Sequence, residues 1–387
     1  MSILRNRILM SVAVGHLAVD LLASVAPVLV AFLSIPLGLT NAQVGLAASL
    51  YTIAGSMSQP FFGHLADRFG GRWLAVVGLS WMIVWLSLAS VLPGYVPLVV
   101  CLAMAGFGSG AYHPQGAMSA FHSSAQRNSS LSIWSLGGAI GFAMGPAVAG
   151  FIYEAVGAQG TMLFGLAVLP VVVFLARALP NRVAPRPQPA AHAQPTAKLA
   201  MGTWALVGFL VLLVARSWAY TGVNTYVPKL YASQGYQATA YGSLLSGILL
   251  ALAAGTFLGG FMADRIGKWP VIVGSMLLST PAYLLFLHLP GFWGILFGLV
   301  GGFALGASQS PTLVIAQEML PARAGLAAGL LQGFTFVTGA LGTSASGVVA
   351  DRVGLLPTLR WIVVLPVVGV ALAGLLSRRR SDRKPIA

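Results

Sequence analysis

The sequence predicts an all-α polytopic membrane protein of twelve transmembrane helices, arranged as two pseudo-symmetric six-helix bundles. Three observations carry this expectation. Apolar residues make up 57% of the 387-residue chain and charged residues only 7%, where a water-soluble protein carries about 25% charged residues. Gly, Pro and charged clusters divide the chain into twelve apolar runs, several as long as the roughly 20 residues that cross the hydrocarbon of a bilayer. The chain also repeats itself at a constant offset of 197 residues: "GHLADRFG" (63–70) matches "GFMADRIG" (260–267), Pro114 matches Pro311, and "GFIYEAVG" (150–157) matches "GVVADRVG" (347–354). The 47 glycines suit such a protein, because small residues let membrane helices approach closely where no hydrophobic effect drives them together.

The first run, 8–33, follows Arg5 and Arg7 and has the charged-then-apolar opening of a signal peptide. Asp20 interrupts it and it continues to Leu33, so it reads as an uncleaved first span. Span two (42–66) ends in the first copy of the charged repeat, span three (73–92) is unbroken, and span four (95–117) contains Pro114. Span five (129–153) carries "GFAMGPAVAG", and span six (160–180) leads into "LPNRVAPRPQPAAHAQPTAK". That stretch, rich in Pro and Ala and without apolar period, marks residues 181–202 as a cytoplasmic linker with no core of its own. It separates an N-terminal bundle, 1–180, from a C-terminal bundle, 203–387, which ends in a basic tail. The second bundle has spans at 203–227, 240–263, 269–289, 292–317, 324–349 and 357–377.

Threaded with the N-terminus inside, only Lys229, Arg352 and Arg360 of the loop cations fall on the far side, out of 21 Lys and Arg in all. The asymmetry predicts a multi-pass protein of the bacterial cytoplasmic (inner) membrane with both termini cytoplasmic. The net charge of +14 is thereby a topology signal and gives no reason to expect a nucleic-acid partner. Cys101 is the lone cysteine, so neither a disulfide nor a cysteine metal site can form within one chain. No cofactor or metal is expected, and the chain is expected to act as a monomer.

Ionisable groups at membrane depth are costly unless they face a cavity or a partner, which makes them functional by default. His16 and Asp20 lie four residues apart, on one helix face. Asp20 can act as a proton carrier or as a static counter-ion, with His16 as its neighbour or as a plain hydrogen-bonded histidine. In span four, "GSGAYHPQGA" places His113 beside a helix-interrupting proline; it is either specialised or satisfied by the carbonyls that Pro114 frees. The matching stretch in the second half, "LGASQSPT", keeps Pro311 but has Ser310 in place of the imidazole. Arg216 stands halfway along span seven in "VARSWAYTGVN", with no acidic residue nearby in sequence. Glu154 and Asp351, equivalent in the repeat, read as solvated helix ends, and Glu318 as a weak second candidate for a proton site.

Two parallel six-span halves joined by a cytoplasmic linker resemble the major facilitator superfamily of secondary transporters. The superfamily's loop signature GxxxDRxGRR is matched by Gly63, Asp67, Arg68, Gly70 and Arg72, with a departure at Gly71; a degenerate copy runs Gly260, Asp264, Arg265, Gly267, Lys268. The resemblance implies the major facilitator fold and a gating role for Asp67, Arg68, Arg72, Asp264 and Arg265. An Asp at a helix end can sit against a neighbouring helix N-terminus, where the macrodipole favours negative charge; the plainer alternative is a topology signal alone. "GFAMGPAVAG" resembles the GxxxGPxxxG element of the drug–proton antiporter branches. Gly141, Gly145 and Gly150 leave a flat surface and Pro146 frees a carbonyl, which close helix packing explains equally well.

A narrower resemblance, to the fosmidomycin resistance protein group, rests on "GHLAVDLLASVAPVL", "YHPQG" and "RSWAYTGVNTYVPKLY". It departs at Gln115, where an acidic or small residue is common. It implies that Arg216 either meets Asp20 or holds an anionic substrate, to which the planar guanidinium fork is suited. Trp218, Tyr220, Asn224 and Gln115 would join it around a small organic molecule, and Asp20, His16 and His113 would couple its movement to protons. The leading expectation is proton-coupled export by alternating access, with uptake of an organic anion or nutrient by symport as the alternative on the same fold. The chain has no HExxH, GxSxG or GxxxxGK[ST] motif, which argues against a membrane enzyme or an ATP-driven pump. A channel would need neither buried titratable groups nor a two-half repeat.

Overall fold

The computed structural model describes residues 5–69, 72–124, 127–181, 203–319 and 324–378. Gly70, Gly71, most of the Pro/Ala-rich linker, Arg323 and the basic tail beyond Arg378 lie outside the described residues. The first six spans are α1 (Arg7–Ser34), α2 (Asn41–Phe69), α3 (Arg72–Val91), α4 (Tyr95–Ser123), α5 (Arg127–Val156) and α6 (Thr161–Ala178), with a 3-10 turn at Ala158–Gly160. The remainder are α7 (Thr203–Ser233), α8 (Ala238–Ile266), α9 (Lys268–Phe286), α10 (Gly291–Ala307), α11 (Gln309–Met319), α12 (Ala324–Val353) and α13 (Leu355–Arg378).

Every expected span is helical, with ends close to those expected. Span ten alone is divided: a turn at Ser308 separates α10 from α11, just before Pro311, which has no N–H to continue the helical ladder. With α10 and α11 counted as one, eleven described helices are long and apolar enough to cross a membrane. α2 is also long, at 29 residues, but carries Asn41, Gln43, His64, Asp67 and Arg68 among its apolar residues. One expectation needs correction. Lys229, expected in a loop, lies inside α7, buried, and its ammonium donates to Ser34 Oγ at 3.0 Å.

The repeat extends to the shape of the elements. α2 and α8 both have 29 residues and α5 and α12 both have 30, each pair starting at the 197-residue offset. Glycines with positive φ, the region in which glycine escapes the Cβ clash, recur at the same offset: Gly38 with Gly235, Gly94 with Gly291, and Gly157 with Gly354.

Packing groups the chain into two compact units, Met1–Gln188 with Thr225–Ser246, and Pro189–Asn224 with Gly247–Ala387. In the first unit α1 packs on α5, α4 and α6, while α4 also packs on α2 and α3. A Cβ on Gly137, Gly141 or Gly145 of α5 would meet the backbone carbonyl of Ala13, Leu17 or Leu21 of α1. One helix thus lies with bare backbone along the other, one contact per turn. Gly150 and Gly242 make the same kind of contact, with the carbonyls of Ala238 and Pro146, between α5 and the start of α8. Pro146 disturbs the α5 ladder, and the amide of Ala147 donates to Ser246 Oγ at 2.8 Å. In the second unit α9 packs on α10 and α13, and α11 on α12, around a core that includes Phe209, Leu212, Leu213, Ile272, Met276 and Ile315.

Gly141→Leu is expected to lower the unfolding midpoint of the purified protein sharply or to prevent its folding, since overpacking costs about 1–3 kcal/mol even where neighbours can move. Gly274→Ala, where a methyl meets nothing within 4 Å, should leave the midpoint unchanged or raise it, helix propensity favouring Ala by about 1 kcal/mol. Dye-based thermal unfolding in detergent distinguishes these outcomes.

Candidate functional site

In the first unit, α1 presents His16 and Asp20 one turn apart, and α4 presents His113 to the same carboxylate. His16 Nε2 lies 3.3 Å from Asp20 Oδ2, and His113 Nε2 lies 3.3 Å from Asp20 Oδ1, so each imidazole takes one carboxylate oxygen. The His16 side chain is 8% exposed, Asp20 18% and His113 22%.

The far nitrogen of each ring fixes its orientation. His16 Nδ1 is 2.9 Å from the carbonyl of Trp134, and His113 Nδ1 is 2.8 Å from the carbonyl of Ser109. A carbonyl only accepts, so each Nδ1 carries a hydrogen and each Nε2 is directed at the carboxylate. A contact between Nε2 and a carboxylate oxygen is attractive only with a proton on one of the two atoms. His113 thus faces the Ser109 carbonyl with Nδ1, one position before the Gly110 carbonyl that Pro114 frees, and the Asp20 carboxylate with Nε2.

Neighbours hold the cluster in place. The Trp134 ring of α5 stacks on His16 with centroids 3.9 Å apart and planes at 14°. Tyr112 donates to the Val12 carbonyl at 2.6 Å, pinning α4 to α1. Gly138 faces the cluster directly: a Cβ there would meet His16 Cε1 and Nε2 and Asp20 Oδ2.

In the second unit, Arg216 is 5% exposed. Its Nε donates to Ser308 Oγ at 2.7 Å and its Nη2 to the Leu305 carbonyl at 3.5 Å. Both acceptors lie where α10 ends, and the negative end of a helix dipole favours a cation. Ser308 Oγ in turn donates to Leu305 O at 2.8 Å. Neither acceptor carries a charge. The guanidinium borders a cavity of about 220 Å³ whose wall includes Tyr220, Thr221, Gln309, Gln332 and Thr335.

The other expected residues sit elsewhere. Trp218 donates to Ser346 Oγ at 2.8 Å and packs its ring on Gly342 of α12. The Asn224 Oδ1 is buried without a hydrogen-bond partner, and Gln115, fully buried in the first unit, donates to Ser119 Oγ at 3.0 Å. None of these three lines the cavity beside Arg216. Asp67, Arg68, Asp264 and Arg265 are exposed at the ends of α2 and α8. Arg72 donates to the Ala176 carbonyl at 2.7 Å, capping the C-terminal turn of α6. In the second unit an ion pair joins Lys268 to Glu318. Glu154 accepts from the Thr239 amide at 3.2 Å, at the N-terminus of α8, where a negative charge is favoured.

Trp134, Ser308, Thr221, Gln309 and Gln332 are absent from the expected site. They are ordinary membrane-helix residues whose roles exist only through neighbours distant in sequence. The one available signal was the "LGASQSPT" stretch, which holds Ser308 and Gln309 beside Pro311. His16, Asp20 and His113 also have the ligand set of a metal site, which was not anticipated.

A duplicated six-helix architecture with ionisable side chains buried at helix mid-length defines a multi-pass membrane protein of the secondary-transporter class. The chain belongs to the Major Facilitator Superfamily, whose description matches it over residues 12–243 and 209–386. It is 32% identical to the uncharacterized MFS-type transporter YfnC of Bacillus subtilis (strain 168) over 94% of this chain and 91% of that one. It is 28% identical to the fosmidomycin resistance protein of Escherichia coli (strain K12), over 97% and 94%. A solved bacterial homolog of the human lysosomal transporter Spinster, in an inward-facing and occupied conformation, superposes with a TM-score of 0.82 over 99% of both chains at 14% identity.

Gly138→Ala tests the cluster's geometry. Its methyl would displace the His16–Asp20 contact, so substrate flux in proteoliposomes should fall at least about tenfold, the equivalent of some 1.4 kcal/mol. A folded variant with undiminished flux would show that this contact is dispensable.

Proposed function

We propose that the protein is a proton-coupled exporter of small organic compounds in the bacterial cytoplasmic membrane, exchanging protons for substrate by alternating access. The observation that carries this reading is the Asp20 carboxylate held between two imidazoles at helix mid-length, each contact needing a proton to be attractive. Asp20, His16 and His113 are the proton-coupling groups. Exchange requires that loading the proton site disfavour loading the substrate site, a coupling free energy between the two. The name of the Escherichia coli relative, a fosmidomycin resistance protein, supports export, although direction is not written in the fold.

Arg216 and Tyr220, with Gln309, Gln332 and Thr335 on the same wall, are the substrate-binding residues. A guanidinium held by neutral acceptors keeps its positive charge available to a ligand, and its fork of donors suits a carboxylate or a phosphorus oxyanion. Trp218, Gln115 and Asn224 support the helices that carry the two sites. Asp67, Arg68, Arg72, Asp264 and Arg265 act at the cytoplasmic ends of their helices, where both termini also lie. The unit of function is the monomer in the bilayer.

Uptake of an organic anion by proton symport is the second reading, favoured by the Arg216 cavity itself, which serves an anion moving in either direction. Reconstitution with an imposed pH gradient separates the two, with fosmidomycin as the first probe and a panel of toxic organic anions after it. An inward proton gradient should drive the compound the opposite way; movement indifferent to the gradient would sink antiport. Asp20→Asn should abolish gradient-driven transport while leaving substrate exchange across the membrane intact. Arg216→Ala should weaken substrate binding about tenfold to a hundredfold, as expected for losing a charged hydrogen-bond donor.

A further inference from the structure

We propose that His16, Asp20 and His113 form a binding site for a divalent transition-metal ion of the zinc type, with one coordination position left for water. The site rests on side-chain geometry; its three ligands are the residues proposed above as proton-coupling groups, so a bound ion would compete with protons there, and zinc binding is measured without transport.

Two imidazole nitrogens and a carboxylate oxygen are a common protein ligand set for zinc, with a fourth position open. Ligand atoms about 2.0–2.1 Å from a tetrahedral ion lie about 3.3 Å from one another. His16 Nε2 to Asp20 Oδ2 and His113 Nε2 to Asp20 Oδ1 are both 3.3 Å, and one ligand atom from each of the three residues falls within 4.8 Å of the others.

The surroundings match what a metal site requires beyond its ligands. A metal-bound histidine ordinarily donates its other ring N–H to a carboxylate or a main-chain carbonyl, which fixes the tautomer and aims the free nitrogen at the ion. Both histidines do this, His16 to Trp134 O and His113 to Ser109 O. Stacking on Trp134 further restricts His16. Asp20 and His113 keep 18% and 22% of their side-chain surface exposed. The paired imidazoles select zinc, copper or nickel over magnesium or calcium, which prefer oxygen ligands. A bound ion would tie α1 to α4.

Zinc chloride titrated calorimetrically into the purified, untagged full chain in detergent should saturate at one ion per chain, with magnesium chloride giving no response. His16→Gln and His113→Gln should each weaken zinc binding by at least about tenfold, since even outer-shell losses cost that much. His122→Gln and His288→Gln, which lie outside the triad, should bind as the unaltered chain does. Cobalt(II) added to the unaltered protein should give the visible spectrum of a four-coordinate nitrogen and oxygen site, a readout that does not depend on any variant folding. Absence of saturable zinc binding, or binding undiminished in folded His16→Gln and His113→Gln, would overturn the site.

Discussion

The contact between α1 and α5 sets the position of every group around Asp20. Helices with side chains at their interface keep their axes roughly 8–10 Å apart. Here Gly137, Gly141 and Gly145 lay one backbone on the carbonyls of the other. That approach brings the Trp134 carbonyl within 2.9 Å of His16 Nδ1 and its ring within stacking distance. It also brings Gly138 against the edge of the His16–Asp20 contact. Of the glycines read in the sequence as either a packing surface or an antiport element, Gly141 and Gly145 form a packing surface against α1, and that surface assembles the cluster around Asp20.

A second constraint follows from burying charge. Taking a carboxylate out of water costs several kcal/mol unless partners replace the solvent, and Asp20 has partners that themselves bind protons. The carboxylate can therefore be neutralised by its own surroundings. Tyr112, by donating to the Val12 carbonyl, fixes the height of α4 against α1 and so the reach of His113. The site depends on two helix contacts, α1 with α5 and α1 with α4, and the ionisable side chains only occupy the positions those contacts create.

Much of this was legible in the sequence. Apolar runs and their breakers mark the helices because hydrocarbon admits only backbone that satisfies its own hydrogen bonds. The 197-residue offset carries over to the lengths of α2 with α8 and α5 with α12, and even to the glycines with positive φ, such as Gly157 and Gly354. Asp20 and Arg216 were visible as costly charges, and His16 lies one turn from Asp20 in the same helix. What the sequence withheld is the pairing of Asp20 with His113, because register between two helices depends on packing that no local pattern encodes. The same holds for Trp134, which contributes a main-chain carbonyl that every residue has and a ring whose stacking on His16 depends on the packing of α5 against α1. Glu154 was read as a solvated end for the same reason: its partner amide, on Thr239, is distant in sequence.

The duplicated frame also shows how the two halves came to carry different chemistry. Asp20 corresponds to Ser217 in the repeat, His113 to Ser310 and Arg216 to Val19, so neither charge has a counterpart. A carboxylate between imidazoles can be silenced by a proton, whereas a guanidinium stays protonated throughout the physiological range. Arg216 can be compensated only by something that brings a negative charge or strong acceptors to it. The turn at Ser308 supplies acceptors without charge, the Ser308 hydroxyl and the Leu305 carbonyl, enough to hold the guanidinium in place without cancelling it. In the proposed function the first unit answers protons and the second anions. That division depends on the break between α10 and α11, since an unbroken helix would have kept the Leu305 carbonyl for its own ladder.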